Sequence, residues 1–285
     1  MSGERLGIAA SGWRVELLPD TGGALLALSH FGRDVLRPTS GDPKSPTDTA
    51  CFPMVPYANR IDNGRFRHAG VDHVLPRNFG DHPHSIHGIG WLRPWRVVTH
   101  DASSVRLEHR HDGGDAWPWP YRAEQTVSAS AEGCRIALSI TNDSDETVPA
   151  GLGLHPYFPA HAVTRLTARA DRLWLTDATM LPTRTAPADH FGNWAKGATV
   201  AGGTLIDNAY EGWDGAAQID DGGVVHVVAS GARAFQLYRP PNAGYFCFEP
   251  VSHLPDAINR NALPVDLLTP GATLHLEMGL SLEIR

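Results

Sequence analysis

His155 stands in an apolar run, Gly151-Leu152-Gly153-Leu154-His155-Pro156-Tyr157-Phe158, beside a proline and two aromatics. Histidine exchanges its proton near neutral pH, and the proline that follows fixes the backbone, so the imidazole is held rather than left to wander. Taken alone, it could equally be a core histidine bonded to a carbonyl. Glu249 ends a second aromatic run, Tyr245-Phe246-Cys247-Phe248-Glu249-Pro250. A carboxylate there is partly desolvated and held, as a general base should be, whereas burial in a salt bridge is the structural alternative. In Ile206-Asp207-Asn208-Ala209-Tyr210-Glu211-Gly212-Trp213, Asp207 could accept from two adjacent hydroxyls of a polyol, with an aromatic ring against its C–H face. Asp207 could instead cap a short helical turn over residues 205–211. Arg60, in Asn59-Arg60-Ile61-Asp62-Asn63-Gly64-Arg65-Phe66, is a fork for hydroxyls or carboxylates, or else the partner of Asp62 in a surface ion pair.

His82, His84 and His87 fall within six residues, and such a cluster invites a metal. His82 and His84 share one face of an extended segment with His87 across from them, a spacing loosely like that of metal-binding cupins. No glutamate follows at a suitable distance and nothing specifies a fourth ligand, so the metal is the less favoured reading. Gly88 and Gly90 suggest that a ligand approaches the backbone closely beside His87, with Trp91 near.

Strands must position these groups. Glycine (29) and proline (22) are spread along all 285 residues, which suits many short strands and opposes long helices. Alternating or apolar runs at 13–17, 24–28, 51–55, 95–99, 105–109, 134–140, 224–228, 235–238 and 245–248 read as strands, and 274–284 is strict period-two alternation. Asn142-Asp143-Ser144-Asp145 reads as the turn that delivers strand 134–140 into the His155 strand, as a hairpin or long-looped meander. No repeat of fixed period and no linker-like break occurs, so the expectation is an all-β chain, a large antiparallel β-sandwich in a single domain, 1–285. A net charge of −7 without a basic run argues against nucleic acid or an anionic membrane as partner. Cys51, Cys134 and Cys247 are odd in number and far apart, which fits a reducing compartment. The first ten residues lack a basic start followed by an apolar core, and no stretch approaches a membrane span. A cytoplasmic protein is expected.

Five ordered elements resemble the aldose 1-epimerases, or galactose mutarotases, over most of the chain. Asn59-Arg60-Ile61 with Gly64 and Phe66, Asn78 with His87-Gly88, His155-x-Tyr157-Phe158, Asp207 with Tyr210, and Glu249 with Pro255-Asp256-Ala257-x-Asn259 are similar to that family's motifs in the same order. The resemblance implies a galactose mutarotase-like supersandwich with the sugar across one concave face. It also implies that Glu249 takes the proton from the anomeric hydroxyl while His155 protonates the ring oxygen. A carboxylate nearby would then keep His155 charged near neutral pH. Arg60, His87 and Asp207 would grip hydroxyls, with Trp91, Tyr210 or Trp213 as walls and no cofactor. The implied partner is a small-molecule aldose, handled by a monomer or homodimer. Pro156, Pro159, Pro250-Val251 and the single glycines around Ile89 depart from the usual pattern and put the pocket floor in question. A hexose-6-phosphate 1-epimerase of the same family is the second reading, with Arg65, Arg77 and Arg93 to hold the phosphate. A catalytically silent sugar-binding or regulatory module on this fold is another. A glycoside hydrolase using Asp207 and Glu249 as its carboxylates is a third.

Overall fold

The computed structural model describes residues 3–260 and 265–284; the remaining residues of the expected 1–285 domain, including the first two of the opening segment, lie outside the described residues. Two large antiparallel sheets pack face to face. The first has eleven strands and runs from Leu6–Ala10 through Trp13–Leu18, Ala24–His30, Cys51–Met54, Gly153–Pro159, Tyr245–Val251, Ala234–Arg239, Ile206–Glu211 and Arg172–Thr176 to Pro182–Pro187, with Arg33–Asp34 beside Ala24–His30. The second has nine, with Ser104–Asp112, Pro120–Ser130, Gly133–Asn142, Thr273–Glu283 and Val224–Ser230 adjacent at its centre. Among the described residues the only helical segments are short 3-10 turns such as Gly90–Leu92 and Ala257–Asn259.

Period-two alternation builds the second sheet. In Pro120–Ser130 the side chains of Tyr121, Ala123, Gln125, Val127 and Ala129 are buried between partly exposed neighbours, so one face meets the core and the other meets water. The first sheet behaves differently at its centre. Cys51–Met54 is buried at every position, and Gly153–Pro159 and Tyr245–Val251 are buried at all but one half-buried end residue each. Their runs are apolar on both parities because both faces are covered. Leu154, Phe158, Phe246 and Phe248 enter the core between the sheets. Phe52, Tyr157, Cys247 and Val251 join a second apolar cluster on the opposite face, under loops that carry Ala58, Ile86 and Trp91.

Two expectations are corrected. Residues 206–211 form a strand paired along its length with Ala234–Arg239, not a helical turn, because buried apolar residues on both parities make better sheet centre than helix face. The segment after Asn142 does not close a hairpin onto the His155 strand. Gly133–Asn142 pairs with Pro120–Ser130 and Thr273–Glu283 in the second sheet, while Gly153–Pro159 lies in the first, so the chain crosses from one layer to the other between them.

Candidate active site

The outer face of the first sheet forms the floor of a cavity of about 870 Å³. Register decides what meets there. Gly153 pairs with Val251 and Tyr157 with Cys247, which sets His155 directly across from Glu249; Phe52 pairs with His155 on one side, and Gln236 pairs with Glu249 on the other. Odd-numbered residues of the central strand turn outward and even-numbered ones enter the core. Between the anchoring pairs lie Pro156 and Pro250, neither with an N–H to give the ladder.

His155 Nε2 lies 3.3 Å from Glu249 Oε1, and the two side chains are 9% and 2% exposed. The imidazole is sandwiched between Phe52, 4.5 Å away at 22°, and Tyr157, 4.8 Å away at 27°, which fixes its plane. Burial pushes the His155 imidazole down to about 3, and Arg37 pushes the same way. Burial likewise holds the Glu249 carboxyl well above the usual carboxylate range; Asp207 adds to this and Arg60 opposes it. The expectation that a carboxylate would keep His155 charged is therefore corrected. Burial favours the neutral form of each group against the ion pair. The pair nevertheless holds one transferable proton, the same number as a carboxylate facing an imidazolium.

Arg60 does not pair with Asp62. Its Nη2 donates to Asp207 Oδ2 at 2.9 Å, across 147 residues of chain, and both side chains are about nine-tenths buried. Its Nη1 donates to Asn59 Oδ1 at 3.1 Å and its Nε lies 3.3 Å from His82 Nε2, so the fork is held on three sides. Asp207 Oδ1 accepts from Gln236 Nε2 at 2.5 Å. With both oxygens occupied, Asp207 is a fixed acceptor rather than a free acid, which disfavours the hydrolase reading.

His87 sits at φ +59°, and its Nδ1 accepts the backbone N–H of Asn59 at 3.1 Å. Its proton is therefore on Nε2, and burial, seconded by His155 and Arg60, keeps the ring neutral. Asn78 holds this loop in place. Its Nδ2 donates to Ile86 O at 2.7 Å and Gly88 O at 2.8 Å, and its Oδ1 accepts from Ile86 N at 2.8 Å. The glycines beside His87 make room for protein, not ligand. A Cβ on Gly88, at φ +73°, would come 2.2 Å from Val55 O, and one on Gly90 would come 2.4 Å from Val55 Cγ1. Trp91 lines the cavity, stacked on Phe52 at 5.3 Å.

Tyr210 is the expected wall that falls elsewhere. Asp207 faces the cavity, so Tyr210, of opposite parity, enters the core, stacks on Phe235 at 4.7 Å and accepts from Trp194 Nε1 at 2.9 Å. Trp213 also turns to the core, edge-on to Phe235 and Phe248. Arg65, Arg77 and Arg93 are exposed and outside the cavity lining. The three clustered histidines do not converge as ligands either. Among the described residues, the donor atoms that come together are those of His155, Cys247 and Glu249, within 4.8 Å of one another. Burial holds the Cys247 thiol protonated, so it would have to lose a proton to bind a metal.

The profile of the aldose 1-epimerase family matches residues 13–281. The chain belongs to the aldose 1-epimerase family. It is 31% identical over 287 residues to YphB of Escherichia coli K12, an uncharacterized protein, the match covering 93% of this chain and 94% of that one. A crystal structure of a candidate aldose 1-epimerase from E. coli K12 superposes with a TM-score of 0.90 at 29% identity, covering 99% of each chain. The GalM/aldose epimerase homologue from C. elegans shares the fold, with a TM-score of 0.86 at 20% identity over 99% of each chain. The galactose mutarotase-like sandwich is thus the fold of this family member, and an aldose epimerase-type activity goes with the membership.

Several lining residues were not among the expected site residues. Tyr157 and Tyr245 are two and four residues from His155 and Glu249 on the same parity, so period-two counting from the two candidates would have found them, whereas Tyr238 lies on the next strand and depends on register. Arg37 lies in a loop with no such signal. Among the described residues no helix is long and apolar enough to cross a membrane.

Proposed function

We propose that the chain interconverts the α and β anomers of an aldose by opening and reclosing its ring, with Glu249 as base and His155 as acid. The observation that carries this is the 3.3 Å approach of a buried imidazole to a buried carboxyl on the floor of a sugar-sized cavity. Opening a hemiacetal takes the proton from O1, breaks the bond from C1 to the ring oxygen, and puts a proton on that oxygen. It therefore needs one group that accepts and one that donates. A pair that shares a single proton meets both needs in either direction. An O1 hydroxyl donating to Glu249 stabilises the carboxylate, and Arg60 acts in the same sense. The shared proton then lies on His155 Nε2, which faces Glu249.

Proton removal and delivery return the pair to carboxyl and neutral imidazole, the form that burial favours. Desolvation thus drives ring opening, and rotation about C1–C2 followed by the reverse transfers gives the other anomer. Arg60, Asp207 and the Nε2–H of His87 present fixed acceptors and donors to ring hydroxyls, while Trp91 closes one end. Magnetisation-exchange NMR on glucose and galactose, with wild type and Glu249→Gln side by side, tests this. Wild type should accelerate exchange, and the variant should lose about 10²- to 10⁴-fold, the range for a positioned proton-transfer group. Undiminished exchange in Glu249→Gln would remove the residue from its role. A folded wild type that exchanges no aldose faster than buffer would favour a binding module.

A further inference from the structure

The proton pair has a third neighbour that ring opening does not use. Cys247 stands two residues before Glu249 on the outward face of Tyr245–Val251, across from Tyr157, and is fully buried in the apolar cluster of that face. A cysteine there could serve as a small apolar filler. Its surroundings single it out: the Cys247 sulfur, a ring nitrogen of His155 and a carboxyl oxygen of Glu249 all lie within 4.8 Å of one another. The other two thiols lack this company, Cys51 in the core between the sheets and Cys134 in the second sheet.

Thiol, imidazole and carboxyl together suit Zn²⁺ and ions like it, whereas Mg²⁺ and Ca²⁺ prefer oxygen alone. Around a tetrahedral ion, bonds of about 2.0–2.3 Å place the donors roughly 3.3–3.8 Å apart. His155 Nε2 and Glu249 Oε1 already stand at 3.3 Å, and bringing in Cys247 takes on the order of 1 Å. The imidazole is free to ligate. His155 Nδ1 is buried and makes no hydrogen bond beyond its own residue, so nothing forces the proton onto Nε2. His87 is the opposite case, because its Nδ1 is taken by the N–H of Asn59. Burial keeps Cys247 and Glu249 protonated until a cation replaces their two protons, which leave to solvent. A divalent ion with one thiolate, one carboxylate and a neutral imidazole then sums to zero charge, so burial that opposes each anion singly does not oppose the complex. Arg60 and Asp207 beside it cancel each other.

We infer that the cavity floor binds a soft divalent cation of the Zn²⁺ kind through Cys247, His155 and Glu249, and that the bound ion blocks the proton pair. The ion enters from the cavity that His155 and Glu249 line, and its fourth position is left to water. Binding needs only the three side chains; the block rests on the epimerase reading, since it takes both groups that move protons.

Two measurements keep the site apart from the reading beneath it. Zn²⁺ and Mg²⁺ are titrated into anomer exchange of glucose and galactose, and Co²⁺ binding is followed by absorption, in the full chain as wild type, Cys247→Ala and Glu249→Gln. Zn²⁺ should inhibit wild type in competition with the sugar, and Mg²⁺ at the same concentration should not. Co²⁺ should give a thiolate-to-metal charge-transfer band in the near ultraviolet that Cys247→Ala lacks and Glu249→Gln needs more Co²⁺ to reach. Cys247→Ala, judged against its own metal-free exchange, should need at least about 100-fold more Zn²⁺ for half-inhibition, because losing a ligand costs more than the 10- to 100-fold typical of losing a ligand's outer partner. Zn²⁺ inhibition unchanged in Cys247→Ala, Co²⁺ bound without a thiolate band, or no binding of either ion overturns the inference and leaves the epimerase reading standing. A thiolate band that depends on Cys247 and Glu249, in a wild type that exchanges no sugar, upholds the site and overturns the epimerase reading. Where Cys247→Ala does not fold, Cys247→Ser should lose the band and His155→Gln the affinity, and retention of both overturns the site.

Discussion

Replacing His155 by glutamine tests whether the imidazole rests uncharged, the point on which the one-proton pair depends. In the unfolded chain a histidine takes up a proton below about 6.5, whereas buried His155 resists one until about 3. Between those values the unfolded state binds a proton that the native state refuses, so stability falls as pH falls through this window. Each pH unit within it costs about 1.4 kcal/mol. From 6.5 down to pH 4 the imidazole therefore subtracts about 3 kcal/mol from wild type, and near pH 7 it subtracts almost nothing. Glutamine binds no proton in either state. His87, Cys51, Tyr157 and Arg37 are common to both proteins, and the contribution of Glu249, which is coupled to the ring, is removed by making the same comparison in a Glu249→Gln background. Urea unfolding followed by tryptophan fluorescence at about pH 7, 5.5 and 4 gives that difference directly. Whatever the two proteins differ by at pH 7, the balance should move toward the variant by about 3 kcal/mol at pH 4. A difference that stays constant would show that the native state binds the proton as readily as the unfolded chain. A difference that moves toward wild type on acidification would mean a buried imidazolium and refute the neutral resting pair.

Asp207→Leu leaves Arg60 buried and unpaired, and should cost about 3–5 kcal/mol in urea unfolding. The double variant Arg60→Met with Asp207→Leu should recover most of that stability while anomer exchange stays low, since both proposed hydroxyl contacts are gone. Asn78→Ala removes three hydrogen bonds that fix the loop carrying His87. It should lower kcat/KM on the order of 10- to 100-fold with Glu249 and His155 intact, as read by the same exchange experiment. Tyr210→Phe deprives Trp194 Nε1 of its acceptor and should cost about 1–3 kcal/mol of stability. Its anomer exchange should match wild type, because the ring lies in the core; a raised KM would put Tyr210 back at the sugar.

The two faces of one strand explain what was legible in the sequence and what was not. His155 and Glu249 stand out because a titratable group inside an apolar run is costly without a task or partner, and that cost is visible locally. Their facing each other follows from antiparallel register between residues about ninety apart, which no local pattern encodes. The Arg60–Asp207 pair is less legible still. Locally each had a plausible partner of its own, Asp62 for the arginine and a helical turn for the aspartate, and only the fold brings them within 2.9 Å. Tyr210 fails for the opposite reason. Its cluster reads as a contiguous patch, yet in a strand three residues reverse the face, so the aromatic nearest Asp207 in sequence points away from it. The glycines at 88 and 90 show a further ambiguity. Close approach was rightly implied, but what approaches is the carbonyl and side chain of Val55, and a glycine alone cannot say whether its neighbour is ligand or chain. Arg37 escapes because a single arginine at the head of a loop rich in proline, serine and glycine has no periodicity. What places it at the cavity is the pair of tyrosine rings that reach it from different strands. Residue types thus announce the chemistry, while register and parity decide which of them share a cavity.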